Sequence, residues 1–176
     1  MPSVLLDCRW LGHAGAGRVT ELLLRELVAD PPVGDWILWG DPGRLDGLVF
    51  PGATVAGWEG RPTQWYGQRD LVRVPRADVR VFLHQIRPLV GGPVVTMFYD
   101  ITPLHMAPSR AVRELKRLYF RLSARRSRVL LTLSEASRRS IAAELRVGAA
   151  RILVTHPSVD SARSARVQAF RATATR

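Results

Sequence analysis

The sequence predicts an α/β fold, a Rossmann-like three-layer arrangement with a parallel sheet and helices on both faces. Three observations carry this. Short apolar runs alternate with longer segments of helical period. Several runs, such as Trp36–Trp39 (WILW) and Val129–Leu133 (VLLTL), stay apolar instead of alternating, as strands covered on both faces do. Polar residues suited to chemistry follow these runs at His84, Tyr99, Asp100, Ser134 and Glu135, where an open parallel sheet places its ligands.

Ser3–Leu6 is the first strand, ending at Asp7, and a glycine-rich stretch, Leu11–Arg18 (LGHAGAGR), follows. Thr20–Val28 has apolar residues at 22, 23, 24, 27 and 28, the spacing of a helix with a broad buried face. Asp30-Pro31-Pro32 stops it, because proline lacks an amide hydrogen and disfavours a helical residue before it. Trp36–Trp39 is the second strand, closed by the turn composition Gly40-Asp41-Pro42-Gly43, and Ala53–Ala56 is the third. A short helix is expected near 63–72, then strands at Val79–Leu83 and Pro93–Phe98.

Pro108-Ser109 opens a helix over 109–127. At 100° per residue, Ala111, Val112, Leu115, Leu118, Tyr119 and Leu122 share one face, and Arg110, Arg113, Arg117, Arg121, Arg125 and Arg128 the other. The apolar face is the one expected to be buried. Val129–Leu133 is the sixth strand. Ser134 stands as the N-cap of a helix running to Leu145, with Gly148 as its C′ residue, and Ile152–Val154 is the last strand. Residues 1–160 read as one domain, and the Arg/Ala-rich 161–176 as a disordered tail.

Charge is uneven. Of 26 basic residues only Lys116 is a lysine; residues 1–100 carry a net −1 and residues 101–176 a net +12. A basic half attracts phosphates, anionic membranes or nucleic acid. Cys8 is the single cysteine, so no internal disulfide forms, and no histidine pair has metal-ligand spacing. No metal and no cofactor are expected. The longest runs free of charge, 47–58 and 88–99, are twelve residues, too short to span a bilayer, and the N-terminus lacks a basic region ahead of its apolar stretch. A cytoplasmic protein is expected, peripheral at most to the inner membrane face.

Three features are candidates for function. Gly15 and Gly17 lie between the first strand and helix, where glycine admits positive φ and lets amides approach a phosphate at a helix N-terminus; the alternative is a linking turn. With Asp41 as a ribose-binding acid, the same residues allow a site for NAD or another nucleotide, although Thr20 stands where the dinucleotide fingerprint wants a third small residue. His84 and Asp100 are candidate acids or bases, against a buried histidine and a turn cap. The 109–128 helix is a candidate contact for anionic headgroups, or for nucleic acid without sequence specificity, against a solvated face.

Four segments come in order across nearly residues 4–160: DCRWLGHAGAGRVTELLLREL; VVTMFYDITPLHMAP; the helix with Arg117-Leu118-Tyr119; and LLTLSEASRRSIAAEL with ILVTHPSVD. Together they resemble the N-terminal domain of retaining GT-B-type glycosyltransferases of family 4, the mannosyltransferase-like group. The resemblance implies a nucleotide-sugar donor, a saccharide or lipid-linked acceptor, and an acceptor-side role for this domain. It maps Gly15, Gly17 and Arg18 to the loop approaching the donor phosphates. Tyr99 and Asp100 map to a His-Asp pair near the reaction centre, with His84 beside it, and Ser134 and Glu135 to a Ser-Glu at the next strand end. Tyr99 replaces the usual histidine and Ser158 the usual glycine of the last segment. The donor-binding glutamates of the second domain are absent, so the chain by itself is expected not to transfer sugar.

Overall fold

A computed structural model describes residues 1–60 and 74–156. The expected helix near 63–72, the Pro157–Asp160 segment and the 161–176 tail lie outside the described residues. The strands are β1 (Ser3–Asp7), β2 (Asp35–Gly40), β3 (Ala53–Gly57), β4 (Val79–Phe82), β5 (Val94–Met97), β6 (Val129–Thr132) and β7 (Ile152–Val154). They form one parallel sheet in the order β3-β2-β1-β4-β5-β6-β7. The α/β class and the parallel Rossmann-like sheet are thus as the sequence predicts. The order reverses between β1 and β4, and this switch point opens a crevice at the strands' carboxyl ends.

The helices are α1 (Ala14–Ala29), α2 (Pro42–Leu45), α3 (Thr102–His105), α4 (Arg110–Arg126) and α5 (Glu135–Leu145). Leu24 of α1 packs with Leu6, Leu38, Leu45 and Phe50 on one sheet face. Phe120 and Ala124 of α4 and Ile141 and Leu145 of α5 pack with Phe98, Leu130 and Ile152 on the other. A third apolar cluster, Leu5, Trp39, Trp58, Phe82 and Val94, extends beneath β1, β2 and β4.

Three expectations need correction. Helix α1 begins at Ala14, so Gly15 and Gly17 are inside its first turns and not in a loop. The left-handed residue closing α5 is Arg146, at φ 55°, and not Gly148, at φ −62°; the Arg146 amide bonds the Ala142 carbonyl there. Helix α4 is also rolled from the expected seating: Leu115, Leu118 and Leu122 are 54%, 55% and 36% exposed, while Phe120, Ser123, Ala124 and Ser127 are buried and Tyr119 of the expected apolar face still packs on the core. Buried Arg87 explains that choice. Its Nη2 donates to the Ser123 carbonyl (2.9 Å) and to Ser127 Oγ (3.2 Å), and Ser127 Oγ also shares a 2.7 Å hydrogen bond with Thr96 Oγ1. A buried guanidinium needs acceptors; the small side chains at 123 and 124 leave room for it to reach the helix backbone carbonyl, and Ser127 adds a hydroxyl. Leu115, Leu118 and Leu122 are left as an outward ridge.

Candidate active site

The site grows from the end of β1. Asp7 and Arg9 are both buried and form a two-pronged pair, Nε to Oδ1 at 2.8 Å and Nη2 to Oδ2 at 2.9 Å, and the Arg9 amide donates to the same Oδ1 at 3.2 Å. The Arg9 guanidinium lies 3.7 Å from the ring centroid of Trp39, and Trp58 flanks it at 5.5 Å. Acid, cation and indoles together fix the direction in which the chain leaves the sheet.

Trp10 then projects across the switch point and stacks on His84, which follows β4, with ring centroids 3.9 Å apart and planes 21° from parallel. His84 Nδ1 accepts the Ile86 amide at 3.0 Å. The hydrogen of the neutral ring therefore sits on Nε2, which makes that atom a donor. Burial outweighs the favourable field of Asp7 and pulls the His84 pKa from its ordinary 6.5 down to about 4. At neutral pH the imidazole is uncharged.

A cleft of about 230 Å³ opens beside this stack. Trp10, His84, Gln85 and Ile86 form one wall; Pro103, Lys116, Tyr119 and Phe120 complete it. Tyr119 braces the far side: its hydroxyl donates to the Arg87 carbonyl and accepts the Arg87 amide at 3.1 Å.

Other expected site residues are engaged inside the protein. The Tyr99 hydroxyl donates to the Leu83 carbonyl at 2.9 Å, and burial raises its pKa, so the phenol holds its proton. Its ring lies 6.0 Å from that of His84, which makes Tyr99 the outer neighbour of the stack. Asp100 is exposed, and its Oδ1 accepts the Thr102 amide at 2.9 Å, the turn cap weighed above. Ser134 is the N-cap of α5, its Oγ accepting from Ser137 N at 3.1 Å, and Glu135 pairs with Arg138. Arg18 pairs with Glu21 at 2.9 Å. Asp41 caps α2 through the Gly43 amide at 2.9 Å and faces Arg44 at 3.5 Å, so its carboxylate is already committed.

The two glycines differ. A Cβ on Gly17 would lie 2.4 Å from the Trp10 carbonyl oxygen and 2.9 Å from the Gly12 nitrogen, so this glycine admits the chain's own loop and not a ligand. A Cβ on Gly15 would meet nothing within 4 Å. The positive φ of the stretch falls at Gly12, at 76°. His13 stands at the N-cap position of α1 with no side-chain cap bond, and the first turn holds no acid, whereas Asp41, Ser109 and Ser134 cap α2, α4 and α5. Its first amides keep their partial positive charge at the crevice rim.

Sequence reasoning passed over Asp7, Arg9, Trp10, Gln85 and Lys116. Trp10 and Gln85 flank strand ends and could have been found by position; their meeting across the switch point needs the strand order. Among the described residues no cluster of histidine, cysteine or acids is arranged to hold a metal, and no helix is long and apolar enough to cross a membrane.

No family model and no curated protein matches the chain. Among solved structures it is similar to Anabaena Alr3699/HepE in complex with UDP, with a TM-score of 0.57 and 16% identity. The likeness covers 91% of this chain and 45% of that one, so the chain spans less than half of that structure's length. At this identity the likeness is one of fold.

Two outcomes follow from the geometry. Gly17→Ala should destabilise the fold by about 1–3 kcal/mol through overpacking, while Gly15→Ala should be neutral or stabilising by up to about 1 kcal/mol; urea unfolding of both variants checks the contrast. For His84, the unfolded chain binds a proton near pH 6.5 that the folded cleft refuses until about pH 4. Its contribution is thus whole above pH 6.5 and falls as pH drops towards 4, by at most about 3 kcal/mol. Unfolding measured between these pH values should show His84→Gln losing that part of the slope.

Proposed function

We propose that this chain is the acceptor-side half of a retaining glycosyltransferase using a nucleotide-sugar donor. The observation that carries the reading is the Trp10–His84 cleft at the switch point, beside the uncapped start of α1. A neutral imidazole donating from Nε2 suits a sugar hydroxyl or a phosphate oxygen. It orients a ligand and does not serve as a strong base at neutral pH. An aromatic wall excludes water and holds a ring in place, which is how positioning lowers a transfer barrier. The α1 amides offer partial positive charge to a donor phosphate at the same rim. Likeness in fold to a structure solved with UDP supports a nucleotide-sugar donor. Asp41 accepts the Gly43 amide and faces Arg44, contacts that compete with a ribose for its carboxylate in the alternative dinucleotide site.

In this reading the acceptor hydroxyl attacks the anomeric carbon, the nucleoside diphosphate leaves, and a second domain neutralises most of its charge. The 176-residue chain should therefore bind saccharides weakly, bind UDP- and GDP-sugars no better than weakly, and release no nucleoside diphosphate when given both. Calorimetry and a turnover assay check this. Tight NAD binding, or sugar transfer by the purified chain, would overturn it.

The leucine ridge favours a peripheral membrane contact as a companion to this role. Leu115, Leu118 and Leu122 face outward, flanked by exposed Arg110, Arg125 and Arg126. Apolar side chains rimmed by guanidinium groups suit an anionic bilayer surface. Changing Leu115 and Leu118 together to serine should lower the partition onto phosphatidylglycerol vesicles about tenfold, with the unfolding curve nearly unchanged. Vesicle flotation at two salt concentrations separates the ridge from bare charge.

A further inference from the structure

We propose that the cleft binds a saccharide carrying a negative charge, its ring against the wall formed by Trp10 and its anionic group on the Lys116 ammonium. This rests on the transferase reading and names the class of acceptor that the site takes.

Two residues of the wall each carry a polar atom without a partner. Trp10 Nε1, a donor, and Gln85 Oε1, an acceptor, are both buried with no hydrogen bond among the described residues, and Gln85 is only 4% exposed. A buried group left in this state costs about 1–3 kcal/mol, so either side chain gains by turning that atom toward a ligand in the cleft. One donor and one acceptor ask for groups that can both give and receive a hydrogen bond, and sugar hydroxyls do this. The remaining wall is apolar, with Ile86, Pro103 and Phe120, and suits the C–H faces of a pyranose. A volume of about 230 Å³ admits one ring and little more.

The charge comes from Lys116. It is the chain's one lysine, it is half-buried, and it pairs with no carboxylate among the described residues. Glu114 on the same helix and Glu144 on α5 are already taken, both held by Arg117. Neutral His84 adds a donor but no charge. The cleft therefore presents one uncompensated cation between apolar walls, where attraction to an anion exceeds its value in open water. A phosphate or a carboxylate on the sugar satisfies it, and a neutral sugar does not.

The test uses the full chain, titrated with glucose 1-phosphate, glucuronic acid, methyl α-glucoside and inorganic phosphate, following the Trp10 indole signal by NMR. The two charged sugars should bind about tenfold tighter than methyl glucoside and tighter than phosphate, and should move that signal. Lys116→Met keeps the length and helix preference of the side chain; it should erase the tenfold preference, so that charged and neutral sugars bind alike. Glucose phosphate on a polyprenyl chain in phosphatidylcholine vesicles, compared with the free ester, tells a lipid-linked source from a soluble one, and binding of either form supports the site. Equal affinity for charged and neutral sugars, or a preference that survives Lys116→Met, overturns this inference and leaves the transferase reading standing. Binding of no sugar at all overturns both.

Discussion

The site depends on the buried pair at the end of β1. Asp7 ends β1, an interior strand of the sheet, Arg9 lies in the turn just after it, and neither reaches solvent. Burying two charges is expensive, and the structure offsets the cost with two-pronged geometry, an amide bond to the same carboxylate and the Trp39 ring under the guanidinium. What results is direction. The chain turns out of the sheet at one angle, and that angle puts the Trp10 ring on His84 and the Trp10 carbonyl against Gly17. Breaking the pair would leave one charge stranded and loosen both contacts together.

That turn also decides what the surrounding residues are left to do. With the loop pressed onto Gly17, helix α1 begins early and its first amides stand uncapped. Tyr99, Asp100, Ser134, Glu135, Arg18 and Asp41 are spent on internal bonds that hold the strand ends and helix starts in place. The polar side chains that line the cleft itself are fewer: His84, Trp10, Gln85, Lys116 and Tyr119. Residues at strand ends thus divide into those that build the rim and those that face across it.

The strands were legible in the sequence because burial on both faces forces continuous apolar runs, and each expected run matches a strand to within about two residues at either end. Ser109 and Ser134 were legible as caps because a hydroxyl before a helix has few other uses. The start of α1 was not. Glycines read as a loop by propensity, and only the approach of the Trp10 carbonyl shows why a helix tolerates one at 17. The seating of α4 was hidden for a related reason. Periodicity locates an apolar stripe but does not say which stripe meets the sheet, and here the demand of Arg87 for acceptors outweighed three leucines. Trp10 and His84 meet only because the strand order reverses between β1 and β4, a long-range fact with no local signature.

Helix α4 ties these results together. Its inner side supplies Lys116, Tyr119 and Phe120 to the cleft, and its outer side carries Leu115, Leu118 and Leu122. At 1.5 Å per residue the ridge runs about 10 Å along the helix, the same stretch that lines the cleft. One rigid element therefore fixes the distance between an outward apolar surface and an inward cation. Because Phe120 and Ala124 lock that element to Phe98 and Leu130, it cannot roll to bury the leucines without withdrawing Lys116. The exposure of the ridge and the charge of the cleft are thus two consequences of one packing choice, made where the Ser123 carbonyl and the Ser127 hydroxyl accept the buried Arg87.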